Sequence, residues 1–126
     1  MKRLSKADRQ RVFEKYNGHC AYCGCELEYK DMQVDHFEPL RNWDKSKMEA
    51  ELWDFNNLMP ACRKCNHYKR AHKIETFRQM IQEIPKKLAR DSYIYRIGIK
   101  YSLISAMDKP VKFYFERVEE NENNNK

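Results

Sequence analysis

The 126 residues carry 35% charged side chains, a net charge of +6 and a mean hydropathy of −0.99, which fits one domain with a modest core and excludes two independent cores. No run approaches the roughly 18 apolar residues that span a bilayer. The basic start, Met1-Lys2-Arg3-Leu4-Ser5, lacks the apolar stretch of a secretory signal, so a cytoplasmic protein with no membrane partner is expected.

Residues 5–17 read as a helix, with Ser5 as N-cap, Asp8 three residues on, Val12, Phe13 and Tyr16 on one apolar face, and Asn17-Gly18 as the stop. Residues 19–25, His-Cys-Ala-Tyr-Cys-Gly-Cys, form a tight knuckle in which Gly24 allows close backbone approach. Leu27–Tyr29 and Met32–His36 read as two short strands turning at Lys30-Asp31. Residues 37–56 are irregular, with a short helix over Met48–Phe55 and with Trp43, Trp53 and Phe55 packing the loop onto the body. Asn57–Cys62 is extended, and Arg63–Ala71 is a base-rich helix. Ile74, Phe77, Met80, Ile81 and Ile84 stand at helical spacing up to Pro85, which restarts a helix. Residues 86–104 mix apolar and basic positions, and Asp91-Ser92 can open a further helix. Val111–Val118 alternates as a strand does. Residues 119–126, acidic and Asn-rich, read as a disordered tail beyond a single domain over 1–118. The last eleven residues hold four acids and two bases, so the body is more basic than the whole. A polyanion partner is expected on that ground, with solubility as the plain alternative.

Five cysteines, Cys20, Cys23, Cys25, Cys62 and Cys65, include two Cys-x-x-Cys pairs separated by 38 residues. An odd count is a poor disulfide framework, whereas two matched pairs supply the four tetrahedral ligands of a structural zinc. Cys20 and Cys23 have the better knuckle spacing; Cys25 stands by as a substitute. So small a core needs such a staple, since metal binding contributes directly to folding.

Between the pairs lies Val34-Asp35-His36-Phe37-Glu38-Pro39-Leu40. Around the second pair lies Asn57-Leu58-Met59-Pro60-Ala61-Cys62-Arg63-Lys64-Cys65-Asn66-His67-Tyr68-Lys69. Together, over residues 20–69, these stretches resemble the HNH nucleases: Cys-x-x-Cys, Asp-His, Asn-Leu, then Cys-x-x-Cys-(His/Asn)-x-x-Lys in order. The resemblance implies an α+β fold, a small zinc-stabilised ββα-metal (treble-clef-like) core over 19–73. An N-terminal helix precedes it, and a helical extension over 74–118 ends in a short strand. It also implies a DNA endonuclease in which His36 is the general base and Asp35 with Asn66 holds a catalytic Mg²⁺ or Mn²⁺. Asn57 fixes the His36 loop through its amide. His67 is the alternative metal ligand. A neutral imidazole suits a base near pH 7, and carboxylate and amide oxygens suit a hard cation that keeps several waters. Successive strand residues point to opposite faces, so the strand end must distort for Asp35 and His36 to serve one site. Lys69, a helical turn beyond Asn66, is expected at a phosphate, with Arg63, Lys64, Arg70 and Lys73 extending a backbone-contacting surface.

A non-catalytic zinc-dependent nucleic-acid-binding module, or an accessory partner of a larger nucleic-acid machine, needs the cysteines and the bases but neither Asp35-His36 nor Asn57. The joint presence of all of them favours the enzyme, with RNA as the alternative substrate. A homodimer or larger complex would supply the second cut of a duplex.

Overall fold

A computed structural model describes residues 4–39 and 51–124 of the chain. They fall into two compact units, Met1–Ile74 with Lys112–Lys126, and Glu75–Val111. No helix among the described residues is long and apolar enough to cross a membrane.

The first unit opens with α1, Lys6–Glu14, whose N-cap Ser5 accepts from the Asp8 amide. It stops because Asn17 turns left-handed (φ 54°), the Asn17 amide bonds to Glu14 and the Gly18 amide to Phe13, a closure that satisfies the last carbonyls. The knuckle follows. Cys20 donates to the Cys25 carbonyl at 2.8 Å, and Gly24 to Cys20 at 3.0 Å. Gly24 sits at φ +83°, and a Cβ there would lie 2.9 Å from the Tyr114 ring.

The sheet has two strands among the described residues, β1 (Gln33–His36) and β2 (Leu58–Ala61), antiparallel, with Gln33 opposite Ala61 and His36 opposite Leu58. The strand expected at Leu27–Tyr29 is not formed. Leu27 spends its amide on Gly18, and Tyr29–Asp31 curls into a 3₁₀ turn. The pairing strand is instead the extended piece before Cys62, every residue of which is buried. Pro60 is tolerated because a two-stranded sheet is all edge. Val12, Met32 and Leu58 form one core cluster, flanked by Leu27, Phe13, Val34, Trp53 and Phe55. Trp53 and Phe55 therefore pack on the body as expected, whereas Trp43 lies outside the described residues. So do residues 48–50 of the Met48–Phe55 helix; residues 51–52 are helical, and a 3₁₀ turn follows over Phe55–Asn57. Arg9 of α1 and its C-cap Lys15 tie down loops: Arg9 donates to the carbonyls of Tyr29 and Met32, and Lys15 to those of Phe55 and Leu58.

The next helix, α2 (Arg63–Lys69), starts at N-cap Cys62 and packs on β1. The expected strand over 111–118 is a helix instead. Residues 111–113 lead into a helix that covers Tyr114–Asn124, including most of the stretch read as a tail. The alternation of Phe113 and Phe115 is real, since both are buried. However, the first-turn amides of Tyr114 and Phe115 donate to the carbonyls of Tyr22 and Ala21, and Glu116 accepts from the Phe113 amide. Those bonds satisfy a helix start rather than a ladder.

The second unit holds α3 (Ile74–Gln82, begun at the last residue of the first unit), α4 (Ile84–Asp91, with Pro85 in its first turn) and α5 (Tyr93–Lys100, capped by the Ser92 hydroxyl on the Tyr95 amide). Phe77 is buried, while Ile94, Tyr101, Leu103 and Met107 are exposed. The helix closing the first unit, Tyr114–Asn124, is α6.

Candidate metal centre and catalytic residues

The first turn of α2 and the knuckle bring Cys20, Cys23, Cys62 and Cys65 together, all four sulfurs lying within 4.8 Å of one another. Cys23 and Cys62 are 3.9 Å apart. Tetrahedral zinc with Zn–S bonds of about 2.3 Å sets sulfurs about 3.8 Å apart, so the donor set fits a structural zinc. The Cys65 amide also points at the Cys62 sulfur at 3.4 Å. A hydrogen bond from Cys65 holds the Cys20 thiol down to about 4, and the same bond pushes Cys65 up. Cys25 stands outside the cluster, exposed, with burial and then Cys23 raising its thiol to about 12.

Cys62, Cys65, Asn66 and Lys69 share one face of α2 by their spacing. The far end of that face meets β1. Asp35 is buried. Its Oδ2 accepts from the Tyr22 hydroxyl at 2.5 Å and pairs with Lys69 Nζ at 3.0 Å. Burial, and then the charge of Asp35, lift the Tyr22 hydroxyl well above its usual range, so Tyr22 remains a donor. No Oδ1 partner is found among the described residues, and no buried side-chain oxygen or nitrogen there is left unsatisfied. Oδ1 is thus the oxygen that meets solvent.

His36, the last residue of β1, meets a different set of neighbours. Its Nδ1 donates to the Leu52 carbonyl at 3.0 Å, and its half-buried ring meets Trp53 edge-on at 4.7 Å between centroids. A donating Nδ1 leaves the lone pair on Nε2. Burial, the largest influence, pushes the ring below its ordinary pKa, which keeps it neutral at pH 7. Asn57 closes the loop. Its Oδ1 accepts from the Glu38 amide at 2.7 Å, its Nδ2 donates to the carbonyls of Glu38 and Leu52, and its own carbonyl accepts from Phe37. The Leu52 carbonyl therefore ties the His36 ring to the Asn57 amide.

Lys69, expected at a phosphate, is instead wholly buried. Besides Asp35 it donates to the carbonyls of His36 at 3.1 Å and Phe37 at 3.4 Å. The helix face that reaches the zinc sulfurs points inward, and it carries Lys69 with it. Asn66 is half-buried on that face, and its side chain has no bonding partner among the described residues. His67 is off the face and exposed, as are Arg63, Lys64, Arg70 and Lys73.

Residues 20–72 match the family model of the HNH endonucleases. This segment is an HNH domain. Over 63 residues the chain is 36% identical to the Septu protein PtuB of Bacillus thuringiensis; the match takes in 48% of this chain but only 23% of that protein. The type II-C Cas9 enzyme of Actinomyces naeslundii superposes on 64% of the chain with a TM-score of 0.50, at 24% identity and over 9% of its own length, a likeness of fold. The HNH domain depends on more than its matched residues. Phe113 and Phe115 pack edge-on against Tyr22 at 5.7 and 6.4 Å, so the donor to Asp35 is wedged from behind by the C-terminal segment. No motif points to Tyr22 or to the Leu52 carbonyl. Tyr22's place between two zinc ligands was the one available signal.

Proposed function

We propose that the chain is a divalent-metal-dependent DNA endonuclease. The observation that carries this reading is the fixed tautomer of His36. One ring nitrogen is committed to the Leu52 carbonyl and the other has no partner among the described residues, with Asp35 Oδ1 at solvent on the neighbouring strand residue. Asp35 Oδ1 and the Asn66 amide oxygen are the residues that would hold Mg²⁺ or Mn²⁺. Such an ion, when bound, supplies positive charge to the phosphate and the leaving oxygen. Nε2 of His36 takes a proton from water as that water's oxygen bonds to phosphorus. The P–O3′ bond breaks and the 3′-oxygen takes a proton from solvent water, which leaves a 5′-phosphate and a 3′-hydroxyl. Asn57 keeps the imidazole from turning. Arg63, Lys64, Arg70 and Lys73 meet the DNA backbone, giving largely sequence-blind, salt-dependent affinity. The zinc is purely structural, and a reducing cytoplasm keeps its thiolates available.

The test is nicking of supercoiled plasmid with Mg²⁺ or Mn²⁺, run beside His36→Ala. Loss of the base is expected to slow nicking by about 10²–10⁴-fold while zinc content and melting stay those of the wild type. Wild-type activity in His36→Ala removes the base. A wild type that binds duplex but cuts neither DNA nor structured RNA makes the chain a binding module or accessory subunit instead.

A further inference from the structure

We infer that Lys69 is a positioning residue for this site and has no contact with phosphate, an inference that rests on the nuclease reading. An ammonium has three N–H donors, and three acceptors surround this one, Asp35 Oδ2 and the carbonyls of His36 and Phe37, at 3.0, 3.1 and 3.4 Å. No donor is left for a substrate, and the side chain has no exposed surface. A buried charge of this kind persists only when paired and fully hydrogen-bonded.

The three acceptors belong to three consecutive residues, the carboxylate before the base, the base itself and the residue after it. The strand ends at His36. Lys69 holds that end from the α2 side. Asn57 and the Leu52 carbonyl hold it from the other. The peptide that carries the imidazole is therefore clamped twice. The Lys69 clamp has a second consequence. With Oδ2 bound by Lys69 and Tyr22, Asp35 presents one oxygen, Oδ1, and can serve a cation only as a one-oxygen ligand. A point charge on a flexible stem can meet three acceptors that lie in different planes, which a planar guanidinium cannot.

Lys69→Met and Lys69→Arg test this in the full chain with zinc bound. Turnover and KM in Mn²⁺-dependent nicking, the salt dependence of duplex affinity, and the His36 tautomer by long-range ¹H–¹⁵N correlation without DNA are measured for each. A supporting result is kcat lower by about 10–100-fold with KM for DNA and the slope of log K against log salt unchanged, and a mixed His36 tautomer where the wild type shows only Nδ1–H. Lys69→Arg keeps a charge and is the variant to read if Lys69→Met does not fold; it too must lose turnover. A slope shallower by about one unit with raised KM makes Lys69 a phosphate contact and overturns the inference. Wild-type kcat with a fixed tautomer overturns it as well. If the wild type cuts nothing, the nuclease reading fails, while a tautomer fixed in the wild type and mixed in the variants still upholds the clamp.

Discussion

The two ends of α2 are built from the same face and do different work. At the first turn Cys62 and Cys65 aim two sulfurs at the knuckle; four residues beyond Cys65, Lys69 pairs with Asp35 near the end of β1. A helix of seven residues has little stability of its own, so both ends must be tied down from outside. The knuckle end carries four sulfurs that fit a metal tie, on which the unit would depend. The β1 end is tied by one ammonium, and its loss falls on three residues. Damage to the first end should therefore be global, and damage to the second local and chemical.

The largest effect is expected at the first end. Cys62→Ser removes both a zinc ligand and the acceptor for the Cys65 amide. Structural zinc contributes on the order of 10 kcal/mol, more than a small domain's whole margin. Zinc content should fall well below one ion per chain, and far-UV circular dichroism should lose its cooperative melt. Full zinc with a normal melt would show that three sulfurs suffice and dissolve the contrast between the two ends.

Next comes Phe113→Ala, which asks whether the knuckle ends where the family match ends. Phe113 is buried against Tyr22, and emptying such a site costs about 3–5 kcal/mol. The melting temperature should drop steeply although the residue lies 41 positions beyond His72. Ile94→Ala, at a position 80% exposed, should change stability by no more than about 0.5 kcal/mol. Equal effects would mean that the C-terminal segment does not brace the HNH domain.

Which parts of this were legible in the sequence follows from how local each signal is. The cap at Ser5 and the stop at Asn17-Gly18 depend on near neighbours and are seen in the structure, and the matched Cys-x-x-Cys spacings point to four cysteines that do cluster. The sheet was half legible. Met32–His36 held a strand, but its partner was chosen by proximity along the chain, when the buried run at Leu58–Ala61 outcompetes Leu27–Tyr29. Phe113 and Phe115 alternate as in a strand, yet the carbonyls of Ala21 and Tyr22, some 90 residues away, start a helix there. Lys69 failed for a similar reason. Its charge suggested surface, while its spacing from Cys62 and Cys65 placed it on the inward face, and the spacing decided the matter. The pattern singles out Asp35, His36 and Asn57 as candidates, but the acceptor shared by His36 and Asn57 is a backbone carbonyl, which no side-chain motif can encode.

A smaller effect on stability, with a larger one on turnover, is expected from Asn57→Ala. Three side-chain hydrogen bonds are lost, but two are replaced by water at a half-buried site, so about 1–3 kcal/mol is the expected cost. The Leu52 carbonyl then loses one of its two donors, and the His36 ring is less firmly turned. Turnover should fall by about 10–100-fold at temperatures where the variant is fully folded. An unchanged turnover would leave Asn57 as a loop staple without influence on His36.

The smallest effect belongs to the outer face of α2. Arg63 and Lys64 sit beside the zinc ligands but point away from them, exposed, so replacing both with Gln touches neither tie. Folding, zinc content and the His36 tautomer should stay as they are. What should change is duplex affinity, weakened about equally on all sequences, with the slope of log K against log salt shallower by up to about two units. This is the reverse of the Lys69 pattern, in which turnover falls and the slope stays. The two results together separate a lysine that meets phosphate from one that holds the strand. If the Arg63/Lys64 variant shows the unaltered slope, the DNA lies elsewhere on the HNH domain, and Arg70 and Lys73 are the next bases to replace.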